Sequence, residues 1–186
     1  MIGATGTIGR AVTDALTGRG HEVIAASRSG AVRVDLAEPA SIEGMFAGLS
    51  DVDAVVSCAA STALAPPDAR VPAGLDAKLL GQVELVRVAA RHLRDGGSVT
   101  LTSGRFDQPL RGAAFGALVN AGLDAFVRTA AAELPRGIRL NAVSPGWVAE
   151  TQASLGMTVD GTPAAEVARA YVDAVESDHR GVVLSP

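Results

Sequence analysis

With 186 residues, 48% of them hydrophobic, the chain can build one sizeable core, and the expectation is a single domain over 1–186. A net charge of −4 without a basic stripe argues against nucleic acid as a partner. No apolar run reaches membrane-span length and no basic-apolar-small pattern opens the chain, so a membrane is not an expected partner and the expected location is the cytoplasm. One cysteine, Cys58, excludes an internal disulfide, and histidines at 21, 92 and 179 are too scattered for an obvious metal cluster, so no metal is expected.

The first element is the stretch Gly3-Ala4-Thr5-Gly6-Thr7-Ile8-Gly9, followed by an amphipathic run, Ile8 to Leu16, that reads as a helix. Glycines at a spacing of three supply turn angles that only glycine reaches cheaply. They also let a phosphate approach the main chain at a helix N-terminus. The spacing is G-x-x-G-x-x-G rather than G-x-G-x-x-G. A plain structural turn is the competing reading, but the loop–helix–strand order favours dinucleotide binding. Only Met1 and Ile2 precede Gly3, whereas a buried central strand has about five residues. Either the true start lies upstream or the central strand is truncated, and the first is the expectation.

A strand follows over His21–Ser27, then the turn Arg28-Ser29-Gly30 and a short strand from Ala31 to Val34 that closes on Asp35-Leu36. Pro39 to Leu49 reads as a helix and Val52 to Cys58 as a buried strand. Ala65-Pro66-Pro67 breaks the chain before one long helix, Leu75 to Leu93, which is expected to stop at Asp95-Gly96-Gly97. Ser98–Thr102 is the next strand, Ala113–Leu134 a helix ended by Pro135-Arg136-Gly137, and Ile138–Val143 a strand running into Ser144-Pro145-Gly146. Thr162 is placed to cap a helix with Pro163 at its first position, continuing to Ser177, and Gly181–Leu184 is a candidate last strand. Alternating strands and helices predict an α/β fold of Rossmann type, a doubly wound, mostly parallel sheet with helices on both faces. Ligands in such a sheet sit at the carboxyl ends of the strands. That edge collects Gly3–Gly9, Ser27-Arg28, Asp35, Cys58-Ala59-Ala60, Thr102-Ser103 and Ser144–Gly146.

These residues resemble the short-chain dehydrogenase/reductase family along essentially the whole chain. The glycine loop is similar to that of the family's extended and atypical branches. Asp35-Leu36 falls where the family places an aspartate beside adenine, and Ser57-Cys58-Ala59-Ala60 occupies the place of Asn-Asn-Ala-Gly. Leu101-Thr102-Ser103-Gly104 resembles the strand ending in the catalytic serine. Asn141-Ala142-Val143-Ser144-Pro145-Gly146 is the closest match, to Asn-x-Val-x-Pro-Gly beside the nicotinamide. The resemblance implies cofactor contacts from Gly3, Thr5, Gly6, Thr7, Ile8, Gly9, Ser27, Arg28, Asp35, Leu36, Ala59, Asn120, Pro145, Gly146 and Val148. It implies catalytic-site places for Ser103, Lys78 and Asn120.

One departure stands out. Gly116 and Asn120 take the places of the family's Tyr-x-x-x-Lys, and Lys78, three residues before Gly81, replaces the helix asparagine. Glycine gives no proton and asparagine carries no charge, so the family's acid–base machinery does not carry over. Lys78 is the only lysine and Tyr171 the only tyrosine.

Several readings stay open on the sequence. Arg28, with Arg10 after the loop and no acid near, favours NADP(H) over NAD, against a solvated surface arginine. Ser103 polarises a carbonyl or merely closes a strand. Asn120 holds ribose hydroxyls or faces a partner subunit. Lys78 is a replacement donor or a solvated helix residue, Tyr171 is packing, and Cys58 an inert core thiol. The Leu75–Leu93 and Ala113–Leu134 helices carry small and apolar residues suited to a homodimer or homotetramer. The function expected is an NADP(H)-dependent oxidoreductase acting on a small carbonyl or alcohol substrate, the alternative a cofactor-binding sensor without turnover.

Overall fold

The computed structural model describes residues 1–59, 64–66, 68, 75–154, 156 and 161–186. Ala60 and Pro67, named above, lie outside them. In chain order the elements are α1 (Thr7–Gly18), β1 (Ala26–Ser27), β2 (Val32–Arg33), α2 (Pro39–Ala47), β3 (Val52–Val56), a π-helical stretch (Leu75–Leu80), α3 (Gly81–His92), β4 (Leu93–Thr102), α4 (Ala114–Ala130), β5 (Arg139–Val143), α5 (Ala149–Ser154), α6 (Ala164–Glu176) and β6 (Val183–Leu184).

Every strand pairing is parallel. β1 pairs with β2, and β3, β4, β5 and β6 form a sheet in that order. Ile2 joins the two sheets by bridging Ala26 on one side and Ser57 on the other. The carboxyl edge thus runs from β2 through β1, Ile2 and β3 to β6. This is the Rossmann arrangement the alternation predicts.

Two apolar layers cover the faces. On one, α1 and α6 bury Val12, Leu16, Val167, Ala168 and Tyr171 against Val56 and Val143. On the other, α2, α3 and α4 bury Ile42, Phe46, Leu85, Val88, Leu123 and Val127 against Val99, Leu101 and Leu140. The central strands are buried on both faces, so even their polar residues, Thr100 on β4 and Asn141 on β5, are enclosed. Among the described residues no helix is long and apolar enough to cross a membrane.

Several predicted elements differ in detail, among them the strand expected over Ser98–Thr102, which begins at Leu93 and so takes in Asp95-Gly96-Gly97, the expected helix stop. The strand expected over His21–Ser27 is regular only at Ala26–Ser27, where it pairs with β2 on one side and Ile2 bridges to it on the other; the terminal amine of Met1 takes the carbonyl of Ile24 at 2.9 Å. The long helix expected from Leu75 to Leu93 is divided: a π-helical stretch hands over to α3 at Gly81, and Leu93 already belongs to β4. A side chain at Gly81 would overlap the carbonyl of Leu36, so the handover lies where the chain packs tightest on β2's exit. The helix expected to run to Leu134 is regular to Ala130. Finally, Thr162 does not cap α6, which starts at Ala164 after Pro163. The cap comes from Glu150 on α5, whose Oε2 accepts the Ala164 N–H at 2.9 Å.

Candidate functional site

The three loop glycines have three different physical reasons. Gly3 turns at φ 77°, and a Cβ there would stand 2.8 Å from the Ala59 nitrogen. At Gly9 a Cβ would overlap the Gly3 carbonyl, so α1 can start this close to the turn only with hydrogen there. At Gly6 the nearest atom is 3.6 Å away, an open side facing outward. Among the described residues no side chain caps α1, and the first-turn N–H groups of Thr7, Ile8 and Gly9 have no helical carbonyl before them. Arg10 folds back, its Nε donating to the Thr5 carbonyl at 2.7 Å. An open Gly6 beside uncapped N–H groups is a cradle that fits a phosphate.

Around it stand the other expected contacts. Ser27 is half-buried and Arg28 exposed at the end of β1. The Asp35 carboxylate accepts the Ala37 N–H at 3.0 Å, while Leu36 is buried beneath α3. Ala59 lies against Gly3. Pairing of Thr102 with Val143 sets Ser103 beside Ser144, with Pro145, Gly146 and the buried Val148 following.

The second half of the edge is built on Thr102 and Ser103. Thr102 is held on every side. Its N–H donates to Gln82 Oε1 at 3.3 Å and its carbonyl accepts from Gln82 Nε2 at 3.2 Å. Its hydroxyl donates to the Ser57 carbonyl at 2.5 Å and meets the Tyr171 hydroxyl at 2.7 Å. Ser103 N–H donates to the Val143 carbonyl at 3.0 Å, which fixes the next residue as well. Among the described residues the buried Ser103 Oγ has no hydrogen-bond partner.

Lys78 comes to the same place. It is 8% exposed, and its Nζ donates to the Ser103 carbonyl at 3.1 Å. A solvated helix residue it is not. Burial lowers its pKa to about 8, and the nearby Asp124 carboxylate opposes that shift. Asn120, on α4, is buried with Oδ1 unpartnered among the described residues, and its Nδ2 lies 3.0 Å from where a Cβ on Gly104 would stand. Gly116, one turn earlier, is buried. The structure therefore brings Ser103, Lys78 and Asn120 together, with Gly116 on the same helix face as Asn120.

The family model described as Enoyl-(Acyl carrier protein) reductase matches residues 3–172. The chain belongs to the short-chain dehydrogenase/reductase family. Among solved structures it is similar to lin1944 from Listeria innocua, with 36% identity over 99% of this chain and 96% of that one and a TM-score of 0.92. A small-chain dehydrogenase is 28% identical over 100% of this chain and 93% of that chain, TM-score 0.86. Another, solved in complex with NADPH, is 27% identical over 100% and 94%, also with a TM-score of 0.86. Comparison with curated proteins gave no match.

Two further residues are held out of ionisation. Cys58 is half-buried, and desolvation pushes its thiol pKa up to about 12, while Tyr171 is fully buried with its hydroxyl held well above the ordinary value by burial. Tyr171 nevertheless reaches the site's frame through Thr102. Sequence reasoning missed Gln82, Asp124 and Arg105. Gln82 stands one helical turn after Lys78, and Asp124 one turn after Asn120, so same-face spacing was the available signal. Arg105 donates to the Ser144 carbonyl at 2.8 Å and to the Pro186 carbonyl at 2.9 Å, tying the loop after Ser103 to the ends of β5 and β6. Members of this family are oxidoreductases.

Proposed function

We propose that the chain is an NADP(H)-dependent oxidoreductase, reducing a small carbonyl or oxidising the corresponding alcohol within one domain. The observation that carries this reading is a buried ammonium, Lys78, seated on the carbonyl of Ser103 next to a buried hydroxyl with no partner among the described residues. The cradle of Gly6, Thr7 and Ile8 fits a pyrophosphate, and the unpartnered Asn120 Oδ1 fits a ribose hydroxyl. Arg28 and Arg10, both exposed, suit a 2′-phosphate, and a similar protein was solved with NADPH. NADPH, when bound, supplies the hydride. Ser103 Oγ donates a hydrogen bond to the substrate oxygen. Lys78 Nζ–H gives that oxygen its proton, in the place of the phenol that Gly116 cannot supply. Asn120 orients the ribose. Leu80 and Leu118, 58% and 57% exposed, support a homodimer or homotetramer through the π-helical stretch and α4.

NADPH oxidation against a panel of small aldehydes and ketones tests the reading. Turnover should fall roughly 10²–10⁴-fold in Lys78→Ala and by a comparable factor in Ser103→Ala. Brisk turnover surviving both substitutions overturns this site. Tight NADPH binding with no turnover on any substrate favours the sensor instead.

A further inference from the structure

Lys78 raises a question the family pattern does not answer. A buried acid that gives up its proton each cycle must recover it, and 8% exposure leaves the ammonium little direct access to water. Among the described residues, the charged group whose field reaches it is Asp124. Asp124 lies on α4, one turn beyond Asn120 and two beyond Gly116, and so on the face where these residues stand. The π-helical stretch bearing Lys78 packs on this helix. The Asp124 side chain spans two environments. The residue as a whole is half-buried, but Oδ1 is fully enclosed with no hydrogen-bond partner among the described residues. A carboxylate oxygen left buried and unpartnered is costly, and it is hard to account for as packing. The two side chains form no direct ion pair among the described residues, so the carboxylate acts on the ammonium through space.

We propose that Asp124 is a positioning residue for Lys78: its carboxylate holds the ammonium charged beside Ser103 and returns to it the proton that the substrate oxygen takes. The inference rests on Lys78 being the acid. In the forward direction the hydride adds to the carbonyl carbon and the π pair moves to oxygen. An N–H bond of Lys78 breaks as the O–H bond forms, leaving a neutral amine. The amine is reprotonated from solvent by way of Asp124, and the carboxylate ends the cycle unchanged. Carbonyl, NADPH and one proton become alcohol and NADP⁺.

Because Lys78 is the only lysine, protein labelled with [ε-¹³C]lysine gives one side-chain signal to titrate. The parent midpoint is expected near 8. Asp124→Asn should lower it by roughly one unit, the size of a nearby opposite charge, and Asp124→Glu should restore it. Asp124→Ser is a second neutral variant should the first fold poorly. In NADPH oxidation, Asp124→Asn should lower kcat about tenfold above pH 8, move the alkaline limb to lower pH, and leave the KM for NADPH unchanged. An unmoved midpoint in both neutral variants overturns the proposal, whether or not a substrate has been found. A shifted midpoint with an unchanged kcat–pH profile overturns the proton return. Full turnover in Lys78→Met fails the reading of Lys78 itself, a result the Asp124 variants cannot mimic.

Discussion

The two halves of the sheet's carboxyl edge are built on opposite principles. The half around Gly3–Gly9 is made of backbone: a turn at φ 77°, a glycine with no room for a Cβ, and helix N–H groups left open. The half around Ser103 is made of side chains from the π-helical stretch, α3, α4 and α6, drawn onto one strand end. A backbone device can be altered only by breaking the turn, so it tolerates little. A side-chain device can be rebuilt with different residues, as we propose for Lys78 and Asn120. The contrast also separates stability from function. The glycine loop should be both stable and functional, while Lys78 should be functional at a cost in stability.

The largest effect is expected at Gly9. Gly9→Ala forces a Cβ into the Gly3 carbonyl and should cost about 3–5 kcal/mol, the range of severe core defects, together with NADPH binding. Gly6→Ala meets only an ordinary contact with the Gly3 carbonyl at 3.6 Å and should leave the melting temperature near the parent's while still blocking phosphate approach. Equal melting temperatures for the two variants would dissolve the distinction between the tight and the open glycine.

Lys78 breaks the pattern from the other side. Its folded pKa of about 8 lies below the ordinary 10.5. Between those values the unfolded chain binds more protons than the folded one, so stability rises with pH there. Below pH 8 the full penalty of the buried charge is present, about 3 kcal/mol at most. Lys78→Met should therefore melt higher than the parent at pH 7, and the gain should vanish toward pH 10.5. It should also lose turnover. A variant that is less stable at pH 7 would make Lys78 a packing residue.

Arg28 tests the cofactor half at its exposed end. Arg28→Asp removes a charge-assisted contact and places a like charge near the 2′-phosphate. NADPH should bind more than tenfold weaker, about 1.4 kcal/mol for each decade, with NADH gaining relative to it. Unchanged affinity in titration calorimetry would leave Arg28 a surface residue.

The same division explains what could be read in advance. The glycine loop was legible because its spacing answers to backbone sterics, which act within a few residues. The alternating elements and Asn141–Gly146 were legible for the same reason. Lys78 was legible only as an open choice between a replacement donor and a solvated residue, because a lone lysine in a helical run reads as surface, and no periodicity marks the π-helical stretch that carries it. Glu150 as the cap of α6 and Gln82 as the clamp on Thr102 depend on contacts across 14 and 20 residues. Local rules do not reach so far. Gly116 is read as a departure on the sequence alone, and a missing side chain does not say which residue would replace it.

The smallest effect lies at Tyr171, which joins the two faces of the sheet. Its hydroxyl meets Thr102 Oγ1 at 2.7 Å, but Thr102 also donates to the Ser57 carbonyl at 2.5 Å and is clamped through its backbone by Gln82. Removing one of several supports should not release Ser103. Tyr171→Phe keeps the buried ring and forfeits one hydrogen bond, a loss of about 1 kcal/mol. The melting temperature should drop by a few degrees, with NADPH affinity and kcat nearly unchanged. Gln82→Leu removes the backbone clamp instead, and should lower kcat more than it lowers stability. If Tyr171→Phe were the variant that lost turnover, the frame of the catalytic half would rest on α6 rather than on α3.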